Sequence, residues 1–433
     1  MNTFHDEYRK KKSDVDHALS LVKSGDVIVS AVAAMEPQHF LTHLDRAREQ
    51  LEEVHVFTCL NMKDYPFFMN KENEGRFLNN SWFHSSGVRA AIKQGLKTAT
   101  YVPNNLHEAA SNLLAWKDPD LFVGIASPMD DHGFFTLSLS IVLERDIVDR
   151  ARKVVLEVNP NAPRTHGETQ IHISEVDALY EVDYPIPEIS DVGPTEIEER
   201  IAGHIAPLVE DGSTLQIGIG GIPNAVSKLM LEKKELGIHT EMFTESIISL
   251  FEAGAVTNRQ KSLWPGKTIC TFALGSRKMY DFVHDNPGVW FLRGRYVNDP
   301  YVIAQNEKMI SVNTAITVDL TGQVCSESIG PRHYSGTGGQ LDTHRGAVMS
   351  PGGKGIIALG STAKDGKSKI VPVLPIGSAV TVPRQDLDYV VTEYGIVRLR
   401  GLSVFQRAKA LISIAHPDLR KELEQDALKT GIL

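Results

Sequence analysis

The chain has 433 residues, 42% of them hydrophobic and 23% charged, a composition that excludes a disordered, collagenous or membrane-spanning chain. Forty-five basic against 54 acidic side chains leave a net charge of −9, which offers no electrostatic invitation to a nucleic-acid backbone. The length fits two domains, each large enough to bury its own core. Cys59, Cys270 and Cys325 lie far apart with no CxxC pair, so neither a disulfide framework nor a zinc site is expected. The polar start, with Arg9, Lys10, Lys11 and Lys12 and no apolar run after them, predicts a cytoplasmic protein without signal or membrane anchor.

Taken in chain order, Asp14 to Lys23 reads as a helix, Gly25-Asp26 as its stop, and Val27 to Ser30 as the following strand. Similar β-branched runs recur at 54–57, 121–125 and 154–158. None alternates polar with apolar residues, so these strands are expected to be buried on both faces, as in a parallel sheet. Residues 181–194 carry Pro185, Pro187, Gly193 and Pro194, which interrupt any periodic element and mark a linker. Beyond it, Thr195 with Glu196 and Glu198 opens a helix, and Asp211-Gly212 turns into a strand over 213–218. Helix, Asp/Gly turn and strand repeat the order at the start of the chain. The fold class is therefore α/β, with two related halves expected at 1–185 and 195–433.

Three segments of the second half are candidates for chemistry. Gly218-Ile219-Gly220-Gly221-Ile222 follows a strand and leads into a helix, so its backbone N–H groups can cradle a phosphate, a carboxylate or an oxyanion. The spacing is not GxGxxG and no Lys-Ser/Thr follows, which weakens both nucleotide readings and leaves a ligand-free tight turn equally open. Glu241 sits in a strand-like apolar stretch, Gly237 to Ser246, where a carboxylate needs a partner or a reaction to offset burial. Ser335-Gly336-Thr337-Gly338-Gly339 supplies a second set of closely approaching amides, or only a surface turn. The histidine pairs His166/His172 and His333/His344 lack the four-residue helical spacing of metal ligands, so no metal or other cofactor is expected.

The ordered set is more specific than its parts. Gly218 to Val226, His239-Thr240-Glu241-Met242, Gly336 to Gln340, Ala358 to Lys364 and Val391 to Gly395 together resemble the acetyl-CoA hydrolase/transferase family, the family I coenzyme A transferases. Ala126 to Gly133, Glu157 to Thr165, Tyr296 to Pro300 and Val324 to Gly330 extend the resemblance over nearly the whole chain. It implies two tandem CoA-transferase-type α/β domains with the active site at their interface, coenzyme A as a substrate, small carboxylates as its partners, and a homodimer or higher oligomer. By the same resemblance Glu241 is the nucleophile. Gly218, Ile219, Gly220, Gly221 and Ile222, with Ile316, Gly339 and Lys364, form the CoA and oxyanion site, and Asn313 and Glu393 line the pocket. Arg398 stands where the family often has an acid. It is expected either to meet a second carboxylate of a dicarboxylic substrate or to lie on a helix surface.

The chemistry suits a glutamate. A carboxylate is ionised near neutrality and attacks an acyl-CoA carbonyl without a general base. Expelling a thiolate to form an anhydride is uphill, and amide donors at the oxyanion together with remote CoA binding energy offset that cost. The implied activity is acyl-CoA:carboxylate CoA transfer with acetate, butyrate or 4-hydroxybutyrate, the alternatives being a thioester hydrolase or a transferase for a dicarboxylic acid.

Overall fold

The structure, a computed structural model, describes residues 3–190 and 193–433; Asp191 and Val192 of the expected linker lie outside the described residues. The chain forms two compact units. The first runs to Ile189 and takes back Cys270–Tyr296, and the second comprises Ser190–Ile269 and Val297–Leu433.

The first unit is built on a seven-stranded parallel sheet. Its strands are β1 (Val27–Ser30), β2 (Val54–Thr58), β3 (Phe77–Ser81), β4 (Ala99–Tyr101), β5 (Leu121–Ala126), β6 (Val154–Val158) and β7 (Ala178–Glu181), in the order β7-β6-β5-β1-β2-β3-β4. β1, β5 and β6 are buried at every residue, in keeping with sequences that do not alternate polar with apolar; Glu157 of β6 is buried with its carboxylate accepting from the Tyr180 hydroxyl at 2.6 Å. The helix expected before β1 forms over Val15–Ser20, with the Asp14 carboxylate accepting from the His17 N–H at 2.8 Å.

The second unit carries a six-stranded sheet of β8 (Thr214–Ile217), β9 (Gly237–Ile238), β10 (Met309–Thr314), β11 (Lys354–Ala358), β12 (Tyr389–Thr392) and β13 (Gly395–Arg398). The order is β9-β8-β10-β11-β12-β13, parallel except for the final hairpin. The helices that matter for the site are α1 (Glu196–Ile205), α2 (Gly221–Leu229) and α3 (Gln340–Met349). Thr195 caps α1 in a reciprocal box with Glu198, as its sequence predicts.

The observed units divide between Ile189 and Ser190, within the expected linker, and depart from the expected halves in one further segment. Residues 270–296, assigned from sequence to the second half, belong to the first unit because their backbone pairs there. Ile141 N–H donates to Thr271 O and Ala273 N–H to Leu139 O, at 2.9 and 2.8 Å, and Trp290 registers with His166 in a parallel pair. The Arg293 guanidinium, 2.8 Å from the Asp146 carboxylate, adds a charged tie.

Candidate active site

In the second unit β9 and β10 lie on opposite sides of β8, so the strand order reverses direction between β8 and β10. In an open α/β sheet such a switch point leaves a crevice at the carboxyl ends of the strands, the usual ligand position. The sequence candidates gather along that edge. Gly218 to Ile222 follow β8, Glu241 follows β9, Asn313 and Ile316 fall at the end of β10, Lys364 lies beyond β11 and Glu393 directly follows β12. Gly339 is the N-cap of α3, the crossover helix between β10 and β11.

Two of these elements, the segment after β9 and the start of α3, meet at one carboxylate, joined there by Asn298. Glu241 is not in a strand interior as expected; it occupies a bend between β9 and the short strand Met242–Phe243. There its Oε2 accepts from Asn298 Nδ2 at 2.8 Å, and the Gly339 N–H bonds the same carboxylate at the start of α3. Asn298 is fully buried. A Cβ on Gly339 would stand 1.9 Å from Glu241 Oε2, so only glycine allows the helix end to approach this closely.

The side chain of Glu241 keeps a little accessible surface, but the protein packed around its carboxylate desolvates it. That desolvation, with the negative charge of Asp342 in the first turn of α3, pushes its pKa up to about 7, against the opposing pull of the Asn298 and Gly339 hydrogen bonds. The result is a carboxylate held by two donors at a helix N-terminus, more basic than an exposed glutamate and ionised above neutrality. Such a group can act as a nucleophile.

The remaining candidates occupy distinct places. Gly218 to Gly220 form an open turn, with Ile219 49% exposed and Gly220 at φ 111°. Helix geometry leaves the first amides of α2, those of Gly221 and Ile222, without intrahelical partners. Gly221 has a structural reason to be glycine as well, since a Cβ there would lie 2.2 Å from the Glu198 carboxylate of α1. Ile316 donates its N–H to Cys325 O at 3.0 Å, and Lys364 is exposed at a turn. Asn313 Nδ2 is engaged with Ser311 Oγ at 2.9 Å and Thr343 Oγ1 at 3.1 Å, in a polar cluster joining β10 to α3. The Glu393 carboxylate, 5% exposed, accepts from the Ser361 N–H at 2.9 Å and hydroxyl at 2.6 Å, anchoring the loop that leads to Lys364.

Arg398 is on strand β13 rather than a helix. Its Nε donates to the buried Asp388 at 2.9 Å and its guanidinium stacks over Tyr389, so its charge is already matched. Asn298 and Asp342 were not among the sequence candidates; the only signal for Asn298 was its place inside the Tyr296 to Pro300 motif, and for Asp342 its place two residues beyond the Gly336 to Gln340 motif. Among the described residues no group of three or more His, Cys, Asp or Glu side chains is placed to hold a metal, and no helix is long and apolar enough to cross a membrane.

Family comparisons match this architecture along the chain. Residues 1–189 match the acetyl-CoA hydrolase/transferase N-terminal domain and residues 275–427 the C-terminal domain of the same family. The chain therefore belongs to the acetyl-CoA hydrolase/transferase family, and it is an enzyme of the CoA-transferase class. It is 44% identical over 428 residues to the succinyl-CoA:cyclohexane-1-carboxylate CoA transferase of Geobacter metallireducens, covering 98% of this chain and 97% of that protein. It is 40% identical over 431 residues to the 4-hydroxybutyrate coenzyme A transferase of Clostridium kluyveri, covering 98% of each. Among solved structures, RipA from Yersinia pestis superposes with a TM-score of 0.94 at 38% identity, over 99% of this chain and all of that one.

Proposed function

We propose that the protein moves CoA between an acyl-CoA and a short-chain carboxylic acid by a ping-pong mechanism with Glu241 as nucleophile. The observation that carries this reading is the Glu241 carboxylate, held by Asn298 and the Gly339 amide at the start of α3. The carboxylate attacks the acyl carbonyl and the CoA thiolate leaves, forming a mixed anhydride. The thiolate then attacks the glutamyl carbonyl, expels the first acid as its carboxylate and leaves a glutamyl-CoA thioester. A second carboxylate reverses both steps, so thioester energy is conserved and no proton need be moved by a general base. The amides of Gly339 and Ile219 stabilise the oxyanions, and the turn from Gly218 to Ile222 with Ile316 and Lys364 holds CoA. Asn313 and Glu393 support the pocket from β10 and β12.

Acetate, butyrate and 4-hydroxybutyrate are the acids proposed first, in keeping with the C. kluyveri relative. A dicarboxylic donor is a second reading, favoured by the succinyl-CoA named for the Geobacter relative at the higher identity. Arg398 supplies no support for that reading, since Asp388 already pairs with it.

Intact-protein mass spectrometry after mixing the enzyme with butyryl-CoA or succinyl-CoA, followed by peptide mapping, tests the proposal. A CoA adduct on the Glu241 peptide, discharged by acetate with formation of acetyl-CoA, is the expected result. Steady release of free CoA with no adduct and no effect of acetate would replace transfer by hydrolysis.

A further inference from the structure

We infer that His239 is a positioning residue for Glu241, acting through its ring hydrogen bond to the Val297 carbonyl, which fixes the turn from which Asn298 reaches the nucleophile. The inference rests on the reading of Glu241 as nucleophile.

His239 lies two residues before Glu241 and is 1% exposed. Its Nε2 is 2.8 Å from Val297 O, so the proton must reside on Nε2; Nδ1 is buried and has no partner. The charged group facing the ring is Lys261, itself buried, whose Nζ donates to Ile238 O at 2.8 Å and Lys267 O at 2.7 Å. Burial, with that positive charge, holds the imidazole pKa down at about 3, so the ring is neutral at working pH and its single donor is committed to Val297. A leucine would fill comparable space without leaving a buried nitrogen unpaired, and what the imidazole adds is this one bond.

Hydrogen bonds tie the backbone on either side of the linkage. On the His239 side, the His239 N–H donates to Leu215 O at 3.1 Å, Thr240 N–H to Ile269 O at 2.9 Å and Ile238 N–H to Asn258 Oδ1 at 2.8 Å. On the other side Asp299 caps the short helix Pro300–Ile303, accepting from Tyr301 N–H at 2.8 Å. Asn298 stands between the anchored carbonyl of Val297 and this cap, with its Nδ2 on Glu241. Releasing Val297 frees one side of the turn and lets the amide drift from the carboxylate. Outer partners of this kind govern the orientation of the group that touches the reacting atoms.

The test compares His239→Leu, His239→Gln and each of them combined with Asn298→Ala in the full chain. Two quantities are measured: the ionisation of Glu241, by infrared difference against Glu241→Gln, and kcat and KM for exchange of CoA from butyryl-CoA to acetate. Asp342, Asn298 and the Gly339 amide face the Glu241 carboxylate, and all three are present in the single variants. His239→Leu is expected to raise the Glu241 midpoint by about one pH unit, because a donor to the carboxylate is weakened. It should also lower kcat roughly 30- to 100-fold with KM changed less than about threefold. His239→Gln, whose amide reaches the same carbonyl, should recover most of both. In the Asn298→Ala background His239→Leu should cost less than about a further threefold, since it acts through a group already removed.

Losses that multiply in the double variant, an unshifted Glu241 midpoint, or a glutamine no better than leucine would each overturn the assignment. If the leucine variant does not fold, His239→Gln against the shorter His239→Asn makes the same comparison. Absence of CoA exchange in the unmodified enzyme would sink the nucleophile reading, while the Glu241 titration would still judge His239.

Discussion

Replacing Gly339 by alanine isolates the approach of α3 to Glu241, the proposed nucleophile. The residue has φ −95° and ψ 14°, a conformation open to alanine, so no backbone strain enters. The whole cost lies in where the new methyl goes: 1.9 Å from Glu241 Oε2 and 2.0 Å from Asn298 Nδ2. Ordinary carbon contacts begin at about 3.5 Å, so carboxylate and amide must retreat by more than about 1 Å, and their mutual hydrogen bond cannot survive the move unchanged. A displacement of that size at a reacting group is worth about 10²-fold, and a lost hydrogen bond to a charged group about 1.5 to 3 kcal/mol.

Steady-state CoA exchange should therefore show kcat lower by about 10² to 10³ with KM for acyl-CoA nearly unchanged. Thermal unfolding should register about 1 to 3 kcal/mol of overpacking. Gly203→Ala, at an exposed position of α1 where a Cβ meets nothing within 4 Å, is the control. It should leave kcat alone and stabilise by about 0.5 to 1 kcal/mol. A Gly339→Ala enzyme with kcat within threefold of the parent would refute the steric argument.

Glu241→Gln should be inactive yet more stable than the parent at pH 8. The native pKa is raised from 4.5 to about 7, so the folded protein favours the protonated acid, and stability falls as pH rises through that window. At 1.36 kcal/mol per pH unit the window is worth at most about 3 to 4 kcal/mol, less what the side chain's residual exposure screens. Denaturant titrations should find the glutamine advantage growing between pH 4.5 and 7 and absent below; an advantage independent of pH would contradict this origin. In the same window kcat/KM of the parent should rise with pH toward a plateau, as Glu241, the proposed nucleophile, ionises in the free enzyme. Arg398→Ala should destabilise by about 1 to 2 kcal/mol, by leaving the buried Asp388 short of its cation, without altering preference between mono- and dicarboxylic donors. A changed donor preference would return Arg398 to the substrate pocket. Gly220→Ala forces an L residue to φ 111° with no neighbour within 4 Å, a strain of about 1 to 3 kcal/mol. Raised KM for acyl-CoA is expected there, whereas lower stability with KM unchanged would remove the turn from the CoA site.

Local chemistry made much of this protein legible in its sequence. β-branched runs without alternation already meant strands covered on both faces, and Thr195 with Glu198 already meant a helix start, because both depend on residues within a turn or two of each other. Gly339 and the turn after β8 stood out because glycine is needed wherever backbone must come close. What tertiary structure decided are contacts between residues remote in sequence. Asn298 donates to a carboxylate 57 residues away, and nothing local to either residue announces that meeting. Cys270–Tyr296 returns to the first unit through hydrogen bonds to segments more than a hundred residues earlier. Arg398 changed from a candidate substrate contact to a structural cation once the β12–β13 register set it opposite Tyr389 and beside Asp388. Periodicity and capping are properties of neighbouring residues, whereas the field around Glu241 is a sum over groups that only the folded chain assembles.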